Sequence, residues 1–224
     1  MWGPTVCRRS LTAKQTAIVQ TDRSLYHSSM SPAASRSRLI REAKALMLAK
    51  GYSGATVDAI CRAAAVSKGS FYHFFHSKEQ LSLAVLDEYF SSTIQPLVNG
   101  PFVAIDDPTQ RALALIDHAA AISEEIWAEG CLLGSFAVDL AETSPEIREQ
   151  VSNRFHRLER ELAQVFAAAI LGKTGHDTPA PEELAGHFIA AIEGSIVLAK
   201  AHNDTERIAR TIRDFGRYIR LLIS

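Results

Sequence analysis

The chain has 224 residues, 47% hydrophobic and 22% charged, which is enough to bury a core without disulfides or metal and too apolar for disorder over most of its length. No apolar run reaches the roughly 18 residues of a membrane span, and three widely spaced cysteines, Cys7, Cys61 and Cys131, exclude a disulfide framework and fit a reducing compartment. The net charge of −1, which alone argues against a nucleic-acid binder, is a cancellation: Met1 to Lys78 carries 12 Lys and Arg against 3 Asp and Glu, and Glu79 to Ser224 carries 12 against 22.

Residues 1–34 are polar and rich in Ser and Thr, without the apolar stretch and cleavage site of a secretory signal. A disordered or mis-assigned extension is expected there, with the functional protein beginning near Met30. From Ser37 the periodicity is helical: Leu39, Ile40, Ala43, Leu46 and Met47 share one face, and Gly51 stands as a C-terminal cap. Thr56 caps a short helix that turns Val57, Ile60 and Cys61 inward, and Ser67 caps the next, Lys68 to Phe75. Ser77-Lys78-Glu79-Gln80 reads as a capping box opening a connector helix through Leu81, Val85 and Tyr89.

Beyond it no run of alternating β-branched residues is long enough to demand a sheet. Asp107-Pro108 opens one helix, Gly130 precedes another over Cys131 to Leu140, and Ser144-Pro145 opens a long one ending at Leu171-Gly172. A polar loop, Gly172 to Ala180, leads to two final helices, Pro181 to His202 and Asp204 to Ile223, parted by Asn203. The expected fold is all-α: a three-helix unit over residues 35–80, with a helix-turn-helix at 56–75, followed by a helical domain over 81–224.

A helix-turn-helix places its second helix in the DNA major groove, which requires hydroxyls, cations and backbone amides facing phosphate and a few side chains reaching base edges. Thr56, Ser67, Lys68, Ser70, Tyr72, His73 and Lys78 supply that set, and Gly69, lacking a Cβ, lets the backbone approach the duplex. Phe71, Phe74 and Phe75 are expected to hold the helix on its neighbours. The net +9 of the first 78 residues agrees with a polyanion partner. Chance asymmetry of solvated faces is the alternative.

Gly51-Tyr52, Thr56-Val57-Asp58-Ala59-Ile60 and the run Ala65 to Leu81, AVSKGSFYHFFHSKEQL, resemble the signature of the tetracycline-repressor (TetR) family. The resemblance covers about Arg36 to Leu86. It implies phosphate contacts for Thr56, Lys68, Tyr72 and Lys78, groove contacts for Ser70 and His73, and a C-terminal domain that binds a small molecule and dimerises. Ala63-Ala64-Ala65 is an unusually plain entry to the turn and says nothing of the operator. The implied partners are a double-stranded DNA operator, a small-molecule effector and a second copy of the chain, in the cytoplasm, with no membrane, metal or cofactor.

Ile208, Ile212, Phe215, Ile219 and Leu222 form a heptad-like stripe, and Leu184, Phe188, Ala191, Ser195 and Leu198 another. Paired with their two-fold mates they would make a four-helix interface; the other reading is that both stripes face the core of one monomer. His118, Trp127, Cys131, Leu132, Phe136 and Phe155 are the candidates for an effector pocket, although core packing explains each equally well. Gly130-Cys131-Leu132-Leu133-Gly134 resembles a segment of a TetR subgroup that includes repressors of electrophile-detoxifying reductases. A thiol in the first turn of a helix feels the positive end of the dipole, which favours thiolate; against this, a free cysteine is most often a small buried hydrophobe.

Enzymatic readings are weaker. Gly172-Lys173-Thr174 lacks the earlier glycine of a phosphate loop, Ala167 standing there, and no Gly-x-Ser-x-Gly elbow occurs. Cys61, His73 and His76 lack a fourth metal ligand. A helical enzyme or interaction module without DNA binding is the rival class to a repressor released from its operator by a small or electrophilic inducer.

Overall fold

The computed structural model describes residues 31–140, 142–171 and 179–223. The expectations for residues 1–30, for the 172–178 part of the polar loop and for its Gly172-Lys173-Thr174 lie outside them. Among the described residues the chain is helical throughout, with no strand.

Helix α1 (Pro32–Gly54) begins five residues earlier than the periodicity indicates, because Pro32 at its start forfeits no intrahelical donor. Gly51 has φ 71° and ends the regular part of α1, as a residue without Cβ can. Helices α2 (Val57–Ala64) and α3 (Lys68–Phe74) follow, then α4 (Lys78–Tyr89). The α2–α3 turn passes through Ala65 in the left-handed region, φ 50°. Leu39, Ala43, Met47, Ile60, Phe71, Phe75 and Leu81 close the core of this head, while Phe74 is only half-buried.

The connector is not one uniform helix. Residues Phe90–Ile94 form a π-helical stretch before the short α5 (Gln95–Val98) and a 3₁₀ turn at Pro101–Ala104. The body is α6 (Pro108–Trp127), α7 (Leu132–Leu140), α8 (Pro145–Ile170), α9 (Pro181–His202) and α10 (Glu206–Ile223). Asp107 and Ser144 cap α6 and α8 through their side chains, each with Pro at the first helical position. Asn203, φ 51°, ends α9.

The two apolar stripes proposed as a dimer seam lie inside the monomer. Helix α10 beds between α6 and α9 of its own chain, so Ile208, Ile212, Phe215 and Ile219 are buried, as are Leu184, Phe188 and Ser195. Phe166, Phe188 and Phe215 meet at centroid separations of 4.9 to 6.1 Å. Leu222 and Ala191 are half-buried, and Leu198 faces outward. Helix α9 is long and apolar enough to cross a membrane, yet one of its faces is packed in this core.

Among the contacts that fasten the head to the body, the Tyr52 ring meets Phe136 of α7 edge-on at 6.0 Å, Glu79 accepts from the Ser144 hydroxyl, and Asp87 pairs with Arg154.

Candidate nucleic-acid interface and effector cavity

The face of α3 opposite Phe71 and Phe75 is exposed along its length: Ser67, Lys68, Gly69, Ser70, Tyr72 and His73. Two hydroxyls organise it. Thr56 accepts from the Ala59 amide at 3.2 Å, and Ser67 accepts from the Ser70 amide at 3.1 Å while donating to the Ser70 hydroxyl. Each caps a helix start, leaving α2 and α3 with ordered N-termini on one surface. Tyr72 is 52% exposed with its ring against Phe71, so it is not a core aromatic. His73 lies edge-on to Phe74. A Cβ on Gly69 would meet nothing nearer than the Ser67 hydroxyl at 3.8 Å, so internal packing does not require glycine there.

The cations differ in their commitments. Lys68 is exposed and pairs with Asp58 at 2.6 Å, and the hydrogen bond to that carboxylate holds its pKa above the ordinary lysine value. Lys78 is partly buried and donates to the Tyr52 carbonyl, and burial holds its pKa low. At the start of α4, Ser77 accepts from the Gln80 amide, but the Gln80 side chain reaches past Ser77 to the His76 amide at 2.7 Å. The capping box is thus closed one residue early.

Inside the body an apolar cavity of about 20 Å³ lies among α5, α6, α7, α8 and α9. Of the six candidates, Trp127, Cys131 and Phe155 line it. Leu132 and Phe136 are buried elsewhere in the core, and His118 points toward Phe102 and the Pro96 carbonyl. Leu133, one residue on from Leu132, is the α7 leucine in the wall, together with Ile94 of the π stretch and Glu193 of α9. Glu193 is the acidic wall residue the sequence reading missed, and Tyr89, outside the wall, reaches Cys131. A single acid inside the apolar run Ala190 to Ala199 was the available signal.

Cys131 stands just before α7, its carbonyl accepting from the Ser135 amide. The dipole argument for a thiolate fails here: burial pushes the Cys131 thiol well up, and the neighbouring Glu193 carboxylate adds to the effect. Tyr89 donates to Cys131 Sγ at 3.8 Å, and Cys131 is hydrogen-bonded to Glu193, whose own pKa burial raises. A side chain on Gly134 would collide with the Glu193 carboxylate, so the glycine makes room for it. Cys61 is buried in α2 and its thiol is likewise raised by burial. Among the described residues no cluster of His, Cys, Asp or Glu is placed to hold a metal.

A capped helix pair presenting hydroxyls, a free aromatic and a lysine, set on a helical body with an internal cavity, defines a helix-turn-helix DNA-binding regulator. Residues 39–85 match the family described as bacterial regulatory proteins, tetR family, and residues 108–215 match the tetracyclin repressor-like C-terminal domain. The transcriptional repressor DhaR of Mycobacterium sp. (strain GP1) is 33% identical over 172 residues, spanning 76% of this chain and 85% of that protein. The transcriptional regulator AcuR of Cereibacter sphaeroides is 31% identical over 186 residues, 80% of this chain and 83% of that one. The crystal structure of a regulatory protein TetR from Rhodobacter sphaeroides superposes with a TM-score of 0.70 at 28% identity, covering 82% of this chain and 97% of that one. The chain belongs to the TetR family of transcriptional regulators. These are ligand-responsive DNA-binding proteins that act as dimers, not enzymes.

Proposed function

We propose that this regulator is a homodimeric repressor whose two α3 helices read half-sites about one helical turn apart, roughly 34 to 36 Å. The observation that carries the reading is the exposed polar face of α3, held from behind by the buried Phe71 and Phe75. Thr56, Ser67, Lys68 and Tyr72 are assigned to phosphate, Ser70 and His73 to base edges, and Gly69 to close backbone approach. Lys78 reaches phosphate only by leaving Tyr52.

The last two helices remain the proposed dimer contact, through a different face. Ala190, Gly194, Val197, Leu198 and Ala201 are exposed along α9. Their spacing makes one stripe of small and aliphatic residues, which supports close helix pairing across a two-fold axis. The protein works where its DNA is, in the cytoplasm.

An effector in the cavity presses on Ile94, in the π stretch that continues α4 into the body. A shift there turns α4 and changes the spacing of the two heads, provided the effector binds one state better than the other. The subgroup likeness of Gly130 to Gly134 points to a small inducer. Non-covalent occupancy is the better-supported mode, because the Cys131 thiol is buried and protonated.

The test is fluorescence anisotropy with labelled DNA from the regions flanking the gene. Binding whose logarithm falls linearly with the logarithm of salt concentration is expected, as is loss of binding in Tyr72→Ala. An interaction module without DNA binding would give no salt-dependent complex and no effect of the substitution.

A further inference from the structure

We propose that Arg157 of α8 is a positioning residue for the DNA-reading head: it clamps the connector in its π form and so fixes the direction in which α4 carries the helix-turn-helix. The inference rests on the reading of the chain as a regulator whose connector links body to head, and it names the side chain that holds that link.

The sequence makes the connector breakable at one place. Pro96 follows the π stretch, and inside a continuous α-helix its ring would clash with the carbonyl four residues back, that of Ser92. The turn before it is widened instead: the Gln95 amide donates to the Phe90 carbonyl, five residues back. Side chains supply donors to carbonyls on either side, Ser91 Oγ to Asp87 at 2.8 Å and Asn99 Nδ2 to Gln95 at 3.0 Å. A helix broken at proline can also kink, and a kink here would swing α4.

Arg157 distinguishes the two forms. Its guanidinium stands over the Phe90 ring, 5.1 Å from the centroid, and donates to Gln95 Oε1 at 2.9 Å. One planar group thus grips both residues of the π hydrogen bond. In an α-helix, residues five apart stand about 140° apart around the axis and face different ways; the π turn brings Phe90 and Gln95 onto one face. Glu161, one turn further along α8, closes the ring: it accepts from Arg157 Nε at 2.8 Å and from Gln95 Nε2 at 3.2 Å. The guanidinium is therefore aimed and the Gln95 side chain oriented. Arg154, one turn before, pairs with Asp87 of α4. Ile94, inside the clamped stretch, lines the cavity, so a ligand that moves Ile94 works against this clamp.

Amide hydrogen exchange and operator anisotropy on the full-length protein test the clamp. Arg157→Ala should speed exchange in the peptide spanning residues 90–95 about tenfold, through loss of the cation–π contact and the charged hydrogen bonds. Exchange in α9 and α10 should not change. Operator affinity should fall about fivefold. Arg157→Lys, which can stand over Phe90 or reach Gln95 but lacks the fork to do both, should behave like Arg157→Ala. Arg160→Ala, the same charge change at an exposed residue of α8, should do neither. Gln95→Ala should speed the same exchange, and adding it to Arg157→Ala should cost little further affinity, because the two side chains act as one unit. Unchanged exchange at 90–95 in Arg157→Ala overturns the proposal, as does unchanged operator affinity, an equal effect of Arg160→Ala, or additive effects of the two substitutions. If Arg157→Ala does not fold, Arg157→Lys and Gln95→Ala carry the same readouts. A protein that binds no DNA in a salt-dependent way removes the regulator reading, and exchange alone then decides the clamp. DNA binding with Arg157→Ala unaltered in both measurements removes the clamp alone.

Discussion

Lys78 donates a hydrogen bond to the backbone carbonyl of Tyr52 at 2.9 Å and stands 3.7 Å from the centre of the same residue's ring. One ammonium therefore pins the start of α4 to the end of α1, and the Tyr52 ring in turn meets Phe136 of α7. Lys68, by contrast, lies on the exposed α3 face with Asp58 as its pair. The two lysines that the family resemblance assigns alike to phosphate should respond differently to substitution. Lys68→Ala is expected to lower operator affinity several-fold, reduce the salt slope by about one ion and leave the Tm nearly unchanged. Lys78→Met is expected to lose about 1–2 kcal/mol of stability, from a charged hydrogen bond and a cation–π contact, which is a Tm fall of about 3–6 °C. A Lys78→Met protein that melts with the unsubstituted one would refute the anchoring role.

Ala65 occupies the left-handed region, φ 50° and ψ 44°, between the two helices of the DNA-reading unit. A Cβ is disfavoured there, and glycine is not. Ala65→Gly should raise stability by up to about 1 kcal/mol, the gain being reduced by the extra freedom of glycine in the unfolded chain. Operator affinity should stay within about twofold. Thermal melts and anisotropy together check it, and a lowered Tm would show that the strain at Ala65 is compensated locally.

The head was legible because its signals are local. Thr56, Ser67 and Ser77 each accept from the amide three residues on, and that geometry is written in the spacing of hydroxyl and helix start. The body was legible as helices but not as a site. The periodicity that placed Ile212 and Phe215 on one stripe could not say whether that stripe met α6 of the same chain or a second copy, because burial looks the same from either side. Leu132 was the expected wall residue, and only the rotation of α7 puts its neighbour Leu133 there instead. The Cys131–Glu193 contact arises between helices far apart in sequence, so no motif announces it.

Glu193 supplies a pH dependence with a definite sign. Burial raises its carboxyl pKa above the ordinary 4.5, and the Cys131 hydrogen bond pulls it only part of the way back. The folded state then holds its proton more tightly than the unfolded state. The associated stability is fully present below pH 4.5 and is lost as pH rises from there through the folded value. Glu193→Gln, neutral throughout, should lack this decline, so its Tm relative to the unsubstituted protein should climb between pH 4.5 and 8. A constant gap across that range would remove the assignment. The Cys131 thiol, raised in the same surroundings, should be alkylated by iodoacetamide at pH 7.5 at least about tenfold more slowly in the native protein than in urea, as followed by peptide mapping.

Burial also separates folding from dimerisation on the last two helices. Val197 is 66% exposed and Leu198 44% exposed on α9, whereas Ile212 of α10 is fully buried. If the outward α9 stripe is the dimer contact, Val197→Asp places a charge at a helix–helix interface that must desolvate it. It should then convert dimer to monomer in sedimentation velocity and abolish cooperative operator binding, while helical content is retained. Ile212→Ala should act in the opposite order: a stability loss of about 2–5 kcal/mol from the cavity it leaves, with the dimer persisting in whatever fraction remains folded. A Val197→Asp protein that stays dimeric at micromolar concentration would move the interface off this face of α9, and dissociation of folded Ile212→Ala protein would return it to the stripe now seated against α6.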